Sequence, residues 1–122
     1  MRFQTGVFAL AALLAAGVST AHAQGQGVTA TEIKIGQTTA YSGAASAYST
    51  IAKAEAAYFE MINKKGGVNG RKINFISVDD AYSPPKTFEQ TRKLVEQDAV
   101  AAILNPLGTP TGVVVRKYLN EK

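Results

Sequence analysis

The chain has 122 residues, no Cys, no Trp and a single His, and its formal net charge is +4. The one His, His22, lies in an N-terminal segment that we expect to be removed. The remaining chain therefore cannot build a His-dependent hydrolase triad or a His/Cys zinc site. Its Lys and Arg residues are few and scattered, which argues against nucleic acid as a partner.

The first 23 residues have the three parts of a secretory signal peptide. A short segment with Arg2 precedes an apolar run at residues 7–18, and the small-x-small sequence of residues 21–23 is typical of a cleavage site. The apolar run is shorter than the roughly 20 residues that span a bilayer, so a permanent membrane anchor is the less favoured alternative. We expect cleavage after Ala23, a mature chain of residues 24–122 and periplasmic localisation.

The segment that follows predicts a first strand and a first helix. Alternating isoleucines predict a strand over residues 32–38, and a helical pattern begins at Ser46 or Ser49 and ends before Gly66. Apolar residues recur there at three- and four-residue steps, which predicts the helix face that packs on a sheet. The predicted inner face consists of Ile51, Ala54, Tyr58 and Ile62.

The next segment predicts a second strand at residues 72–79 and a helix that extends to Asp98. Ser83 followed by Pro84 is typical of a helix start, because proline suits the first helical position. The predicted inner face of this helix consists of Phe88, Thr91, Leu94 and Val95.

A third strand and helix complete the pattern. Residues 99–104 are continuously apolar, which predicts a strand buried on both faces. Thr109 as a helix cap and Pro110 in the first turn predict a third helix to about Asn120, although the helix contains the poor helix formers Gly112 and Val113.

The repeated strand–helix order predicts an α/β fold with a three-layer parallel sheet, β-α-β-α-β-α, joined by right-handed crossovers. Strand order 2-1-3 would make the first and third strands neighbours. Three strands form a narrow sheet with an unpaired apolar edge. We therefore expect the sequence to be the front part of a longer protein.

Ligands of open parallel sheets bind at the carboxyl ends of the strands, which makes the first and third turns the candidate site. Ser42 and Tyr48 come from the first turn, and Gly108 and Thr109 from the third. Gly108 allows close approach of the backbone, and Thr109 opens a helix whose free N–H groups attract a carboxylate. The alternatives are that Thr109 is only a helix cap and that Tyr48 is only a surface or helix-packing residue.

Two adjacent carboxylates, Asp79 and Asp80, end the second strand. In a dinucleotide fold an acidic residue there binds the ribose, but such folds need a glycine-rich first turn and only Gly43 is present. The two side chains are therefore predicted to be structural turn carboxylates. The sequence predicts no catalytic residue, metal site or cofactor.

Four segments, in this order and spacing, carry a family resemblance: residues 33–43, 62–70, 79–80 and 106–109. They contain Ile-Lys-Ile-Gly leading to Ser-Gly, Ile-Asn-x-x-Gly-Gly-Val-Asn-Gly, Asp-Asp, and Pro-Leu-Gly-Thr. The chain resembles the periplasmic leucine/isoleucine/valine-binding protein family, the type I substrate-binding proteins of branched-chain amino acid ABC transporters. The resemblance covers residues 28–122 and implies the first three strand–helix units of the N-terminal lobe.

The resemblance implies an exported solute-binding component for branched-chain amino acids or related small carboxylates, not an enzyme. Its partners would be the small-molecule ligand and a membrane permease. Gly108 and Thr109 would approach the ligand carboxylate, and Tyr48 would line the cleft. The alternative is a small flavodoxin-like nucleotide- or cofactor-binding domain or enzyme, which would need a phosphate-cradling first turn that the sequence lacks.

Overall fold

The computed structural model describes residues 25–122, in which three strands alternate with three helices. The signal peptide predicted for residues 1–23 lies outside the described residues. A single 3₁₀ turn, Ser46–Tyr48, leads into the first helix. The elements are β1 Glu32–Thr39, α1 Ser49–Lys64, β2 Lys72–Asp79, α2 Pro84–Glu96, β3 Ala102–Ile103 and α3 Thr109–Glu121.

The three strands form a parallel sheet in the order β2-β1-β3. β1 pairs with β2 along its whole length, from Glu32 opposite Lys72 to Thr39 opposite Asp79. β1 pairs with β3 at only two positions, where Ile35 lies opposite Ala102 and Gly36 opposite Ile103. The predicted α/β class is confirmed, the order is the one in which the first and third strands are neighbours, and all three strands end at the same edge.

Side chains alternate between the two faces of β1, and each face is covered by different helices. The space beside Gly36 is occupied by Leu94 of α2 and by Val100, whereas the next residue, Gln37, donates a hydrogen bond to Glu55 of α1. α3 packs on α2, where the rings of Phe88 and Tyr118 meet edge to face at 5.6 Å. α1 therefore lies on one face of the sheet and α2 on the other, as the three-layer prediction requires. The buried residues are Ala40, Ala52, Leu94, Val100 and Val115, with the polar side chains of Gln37, Thr38, Thr39, Ser49, Asp80, Thr87, Thr91 and Thr111.

The third strand differs from its prediction. Of the apolar run 99–104, only Ala102–Ile103 pairs as a strand, and Ala101, Ala102 and Leu104 are exposed. β3 is an edge strand of the described sheet, so its outer side has no neighbouring strand. Hydrophobic composition alone does not distinguish an edge position from a central one.

The inner face of α1 is rotated relative to the prediction. Ile51 and Tyr58 are 41% and 56% exposed, whereas Ala52 is fully buried and Phe59 packs edge to face on Phe75 of β2 at 5.1 Å. Glu55 also faces the sheet, as its hydrogen bond from the buried Gln37 side chain shows. A periodicity analysis counts apolar residues only, so it does not detect a charged residue that faces inward to meet a partner.

The boundaries and the inner face of α2 follow the sequence more closely. Ser83 precedes the helix in extended conformation and Pro84 begins it, as predicted. Thr91 and Leu94 are buried, but Phe88 is partly exposed and the fully buried Thr87 lies in the core beside them. A threonine is suited to this position because its methyl group packs while its hydroxyl bonds to neighbouring oxygens.

Candidate functional site

The candidate site lies where the three parallel strands end. The loop 40–45 follows β1, the loop 80–83 follows β2 and the loop 104–108 follows β3. Because β1 lies between the other two strands, its loop adjoins both neighbours. Ser42 and Gly108 therefore belong to loops that follow adjacent strands, as the sequence predicted.

Asp79, the last residue of β2, holds the loop that follows β1. Its Oδ1 atom accepts hydrogen bonds from the backbone N–H groups of Tyr41 at 2.9 Å and Ser42 at 3.0 Å. Its Oδ2 atom accepts the Ser42 hydroxyl at 2.7 Å and Lys86 Nζ at 3.0 Å. The hydrogen bond from the Ser42 hydroxyl, and next the one from Lys86, hold the pKa of Asp79 well below its usual range, against the opposing effect of burial. Asp79 is therefore ionised and restrains Ser42.

Asp80 stabilises the loop to which it belongs. The residue is fully buried; its Oδ1 atom accepts the Tyr82 N–H at 2.9 Å and its Oδ2 atom accepts the Thr87 hydroxyl at 2.7 Å. The Ser83 N–H donates to the Asp80 carbonyl at 2.9 Å and closes the turn. These bonds confirm the prediction that Asp79 and Asp80 are structural turn carboxylates.

Gly108 is where the chain enters α3, and it has a φ of +94°. Residues with a Cβ rarely adopt this conformation. The Tyr82 ring lies directly against it, since a Cβ built at position 108 would be 2.3 Å from the Tyr82 Cε2 atom. The position of the helix cap differs from the prediction: Gly108 is the cap and Thr109 is the first helical residue, because the left-handed backbone of Gly108 turns the chain into the helix one residue earlier.

No side chain among residues 25–122 makes a capping hydrogen bond at the start of α3, and Thr109 is exposed. The Thr111 hydroxyl donates back to the Gly108 carbonyl at 2.8 Å, which secures the first turn. Unpartnered N–H groups and the positive end of the helix dipole both favour an anion at this position.

Tyr48 is exposed, with 59% of its surface accessible, and Ser42 and Thr109 are exposed as well. It is the last residue of the 3₁₀ turn and immediately precedes α1. The structure places Ser42 and Gly108 beside the same loop, because Gly43 approaches Ala81 and Gly108 approaches Tyr82. Tyr48 precedes α1, and Thr109 is the first residue of α3.

A polar network on the α1 side of the sheet is absent from the sequence-based prediction. The Tyr41 hydroxyl donates to the Ser77 hydroxyl at 2.8 Å, which donates to the Gln37 side-chain oxygen at 2.9 Å. The Gln37 amide and the Asn105 amide both donate to the Glu55 carboxylate. The network links residues of β1 and β2, α1 and the loop after β3. A glutamine within an apolar strand is the signal that could have indicated it, because a buried amide requires partners.

Among the described residues, a groove of about 280 Å³ lies away from the candidate site, beside β3. Val100, Ala102, Ile103 and Leu119 are among its lining residues. Residues 25–122 also contain no group of three or more His, Cys, Asp or Glu side chains that could hold a metal ion.

A family model described as periplasmic binding protein matches residues 32–122. The chain belongs to the periplasmic binding protein family. Members of this family are solute-binding proteins, not enzymes. This assignment favours the solute-binding interpretation over the flavodoxin-like alternative.

Several relatives agree with this assignment. An amino acid binding protein from Pseudomonas aeruginosa is 31% identical over 103 residues, which are 84% of this chain and 26% of the relative. A fatty acid ABC transporter substrate-binding protein from Thermomonospora curvata is 33% identical with a TM-score of 0.71, over 80% of this chain and 25% of that protein. The branched-chain amino acid transporter substrate-binding protein LivJ from Streptococcus pneumoniae, solved with isoleucine, is 26% identical with a TM-score of 0.68, over 74% of this chain and 26% of that protein.

The chain therefore spans about a quarter of the length of the relatives that it matches. A further structural relative, a solute-binding protein of an ABC transporter from R. palustris in complex with benzoate, is 26% identical with a TM-score of 0.62, over 74% of this chain and 25% of that protein.

Within residues 25–122 no helix is both long enough and apolar enough to cross a membrane.

Proposed function

We propose that this chain supplies part of the ligand-binding lobe of an exported solute-binding component of an ABC transporter, and that it binds branched-chain amino acids or related small carboxylates. The observation that carries the proposal is the start of α3. There Gly108 caps the helix, no described side chain makes a capping hydrogen bond to the first turn, and the loop with Ser42 lies at the same sheet edge. A carboxylate at this position would meet oriented backbone donors.

Each of the four residues has a proposed role that follows from its surroundings. The Tyr82 ring occupies the space beside the Gly108 Cα, so the proposed role of Gly108 is to turn the chain into α3. The exposed Thr109 adds a hydroxyl and a backbone N–H for the carboxylate. Tyr48 lines the edge with an exposed ring whose hydroxyl can bond to a ligand. The Ser42 hydroxyl donates its hydrogen bond to Asp79, so its oxygen can only accept a hydrogen bond from a ligand. That arrangement suits the ammonium group of an amino acid.

The solved relatives support a carboxylate as the shared part of the ligand. One is in complex with isoleucine, one is in complex with benzoate, and one is a fatty acid ABC transporter substrate-binding protein; these ligands all carry a carboxylate and differ in the rest of the molecule. The chain covers about a quarter of each of those proteins, so we infer that groups outside this sequence contact the rest of the ligand. Export through the predicted signal peptide of residues 1–23 and delivery to a membrane permease are part of the same proposal.

Isothermal titration calorimetry of residues 24–122 tests the proposal. Isoleucine, benzoate and a medium-chain fatty acid are the ligands, and isoleucinamide, which lacks the carboxylate, is the matched control. We expect weak binding of the acids, because this chain contacts one side of the ligand only, and a smaller response to the amide. Equal binding of isoleucine and isoleucinamide would contradict carboxylate recognition. Micromolar affinity for any of the acids would contradict the need for a second side.

A further inference from the structure

The turn after β2 has an unusual backbone. Ala81 and Tyr82 are adjacent residues with φ values of +52° and +58°, and neither is glycine. The left-handed region is unfavourable for any residue with a Cβ, and two consecutive residues there are more unfavourable still. Such conformations persist where the surroundings impose them, and they cluster at functional sites.

The two turn carboxylates impose this conformation. The Ala81 N–H donates to Asp79 Oδ1 at 3.0 Å, and the Tyr82 N–H donates to Asp80 Oδ1 at 2.9 Å. Asp80 is itself fully buried and is held by the Thr87 hydroxyl. The left-handed turn therefore rests on two anchored side chains, each of which accepts one N–H of the turn.

The turn carries the Tyr82 ring to the start of α3. A Cβ at position 108 would lie 2.3 Å from Cε2, 2.6 Å from the hydroxyl oxygen and 2.7 Å from Cζ of Tyr82, so the ring fills the space above the glycine. The side chain is still 38% exposed. The loops after β2 and β3 thus meet, although β1 separates their strands.

We propose that Tyr82 is a positioning residue that holds the Gly108–Thr109 segment in the conformation that binds ligand. The relevance of this role to ligand binding rests on the proposed function, but the contact between Tyr82 and Gly108 can be measured without a ligand. Gly108 lacks a side chain to anchor it, so the ring is its main lateral support from the β2 side. Removal of the ring leaves a left-handed glycine free to adopt other conformations. The segment that presents Thr109 would then lose its single orientation.

NMR of the isotope-labelled protein tests the proposal in three variants. Tyr82→Ala removes the ring, Tyr82→Phe keeps the ring and removes the hydroxyl, and Tyr58→Ala removes an exposed tyrosine of α1 as the matched control. Two readouts report on the segment. One is the ring-current shift of the Gly108 α-protons, and the other is amide exchange of Leu107 and Gly112, which donate to Thr38 and Gly108 carbonyls.

In Tyr82→Ala we expect loss of the Gly108 ring-current shift and roughly two- to tenfold faster exchange of the Leu107 and Gly112 amides, relative to amides of β2. Tyr82→Phe should retain the shift and the wild-type rates, and Tyr58→Ala should leave both unchanged. If Tyr82→Ala does not fold, loss of the shift in Tyr82→Leu, which keeps apolar bulk without an aromatic ring, supports the contact. Retention of the shift in Tyr82→Ala or Tyr82→Leu would overturn the proposal.

Exchange that accelerates equally in β2 and at Gly112 would also overturn the proposal, because it would indicate general loss of stability instead of local release. These readouts are independent of ligand binding. Failure of isoleucine or benzoate to bind the wild-type protein would count against the proposed function only. An unchanged Gly108 ring-current shift in Tyr82→Ala would count against the role of Tyr82 only.

Discussion

The hydroxyl of Ser42 donates to Oδ2 of Asp79 at 2.7 Å, while the backbone N–H of the same serine donates to Oδ1 at 3.0 Å. One carboxylate at the end of β2 therefore determines both the backbone and the side-chain position of the loop after β1. Because both bonds require an ionised acceptor to be strong, the charge of Asp79 controls the shape of the candidate ligand edge.

The stability of the protein should depend on pH through Asp79. The pKa of this carboxyl is lowered in the folded protein, so its contribution to stability is present above the unfolded value of about 3.9 and is lost as the pH falls toward the folded value. We expect the melting temperature of the wild type to fall as the pH is lowered from above about 4 toward the folded pKa of Asp79. Thermal unfolding followed by circular dichroism across this range measures the effect.

Two variants separate Asp79 from the other carboxylates. Asp79→Asn should remove this part of the pH dependence, and Ser42→Ala should reduce it, because the Ser42 hydroxyl is the largest cause of the lowered pKa. The same pH profile in the wild type and in Asp79→Asn would contradict the role assigned to the carboxylate.

Two glycines near the start of α3 should respond oppositely to substitution by alanine. Gly108 has a φ of +94° and the Tyr82 ring against it, so Gly108→Ala should destabilise the protein by more than about 1 kcal/mol. Gly112 is helical, and apart from its chain neighbours and the adjacent helix backbone no described atom lies within 4 Å of the position of an added Cβ. Gly112→Ala should therefore stabilise the protein by about 0.5–1 kcal/mol.

Urea denaturation of both glycine variants and of the wild type gives the two free energies of unfolding. Both substitutions add one methyl group, at positions four residues apart. The comparison therefore isolates the effects of the backbone conformation and of the room available for the methyl group. Equal effects at the two positions, or a stabilising Gly108→Ala, would contradict the conformation described for Gly108.

The stabilising effect of the polar network on the α1 side of the sheet should depend on Glu55. This carboxylate accepts the amides of Gln37 and Asn105, and Gln37 is only 1% exposed. Glu55→Leu would leave the Gln37 amide with the distant Asn105 carbonyl at 3.3 Å, and we expect a loss of about 1–3 kcal/mol. Denaturation of Glu89→Leu, an exposed position of α2, is the control and should change stability by less than about 0.5 kcal/mol. Similar losses in both variants would show that the network does not stabilise the fold.

Local sequence signals predicted most of the fold. The alternation of β1, the bounds of β2, the Pro84 start of α2 and the glycines after α1 are all features of residues close in the chain. The repeated strand–helix order indicated parallel strands, whereas the order β2-β1-β3, which places Ser42 and Gly108 after adjacent strands, was only assumed. These predictions succeeded because each depends on hydrophobic period or on backbone preference.

The remaining features depend on contacts between residues distant in the sequence. Glu55 turns inward to meet Gln37, which rotates the buried face of α1, and β3 is an edge strand because of its place in the sheet. Tyr82 reaches Gly108 only because two carboxylates impose a left-handed turn. No periodicity or propensity of residues 81–82 indicates that contact, so the contribution of the β2 loop to the candidate site emerged from the structure.

Titration of the isotope-labelled residues 24–122 with isoleucine, followed by amide chemical shifts, tests the central claim most directly. The claim is that the ends of β1 and β3 share one edge that binds a small acid. We expect millimolar affinity, with the largest shifts at Ser42, Tyr48, Gly108 and Thr109 and much smaller ones with isoleucinamide. Absence of shifts at these residues, or shifts confined to the groove along β3, would contradict it.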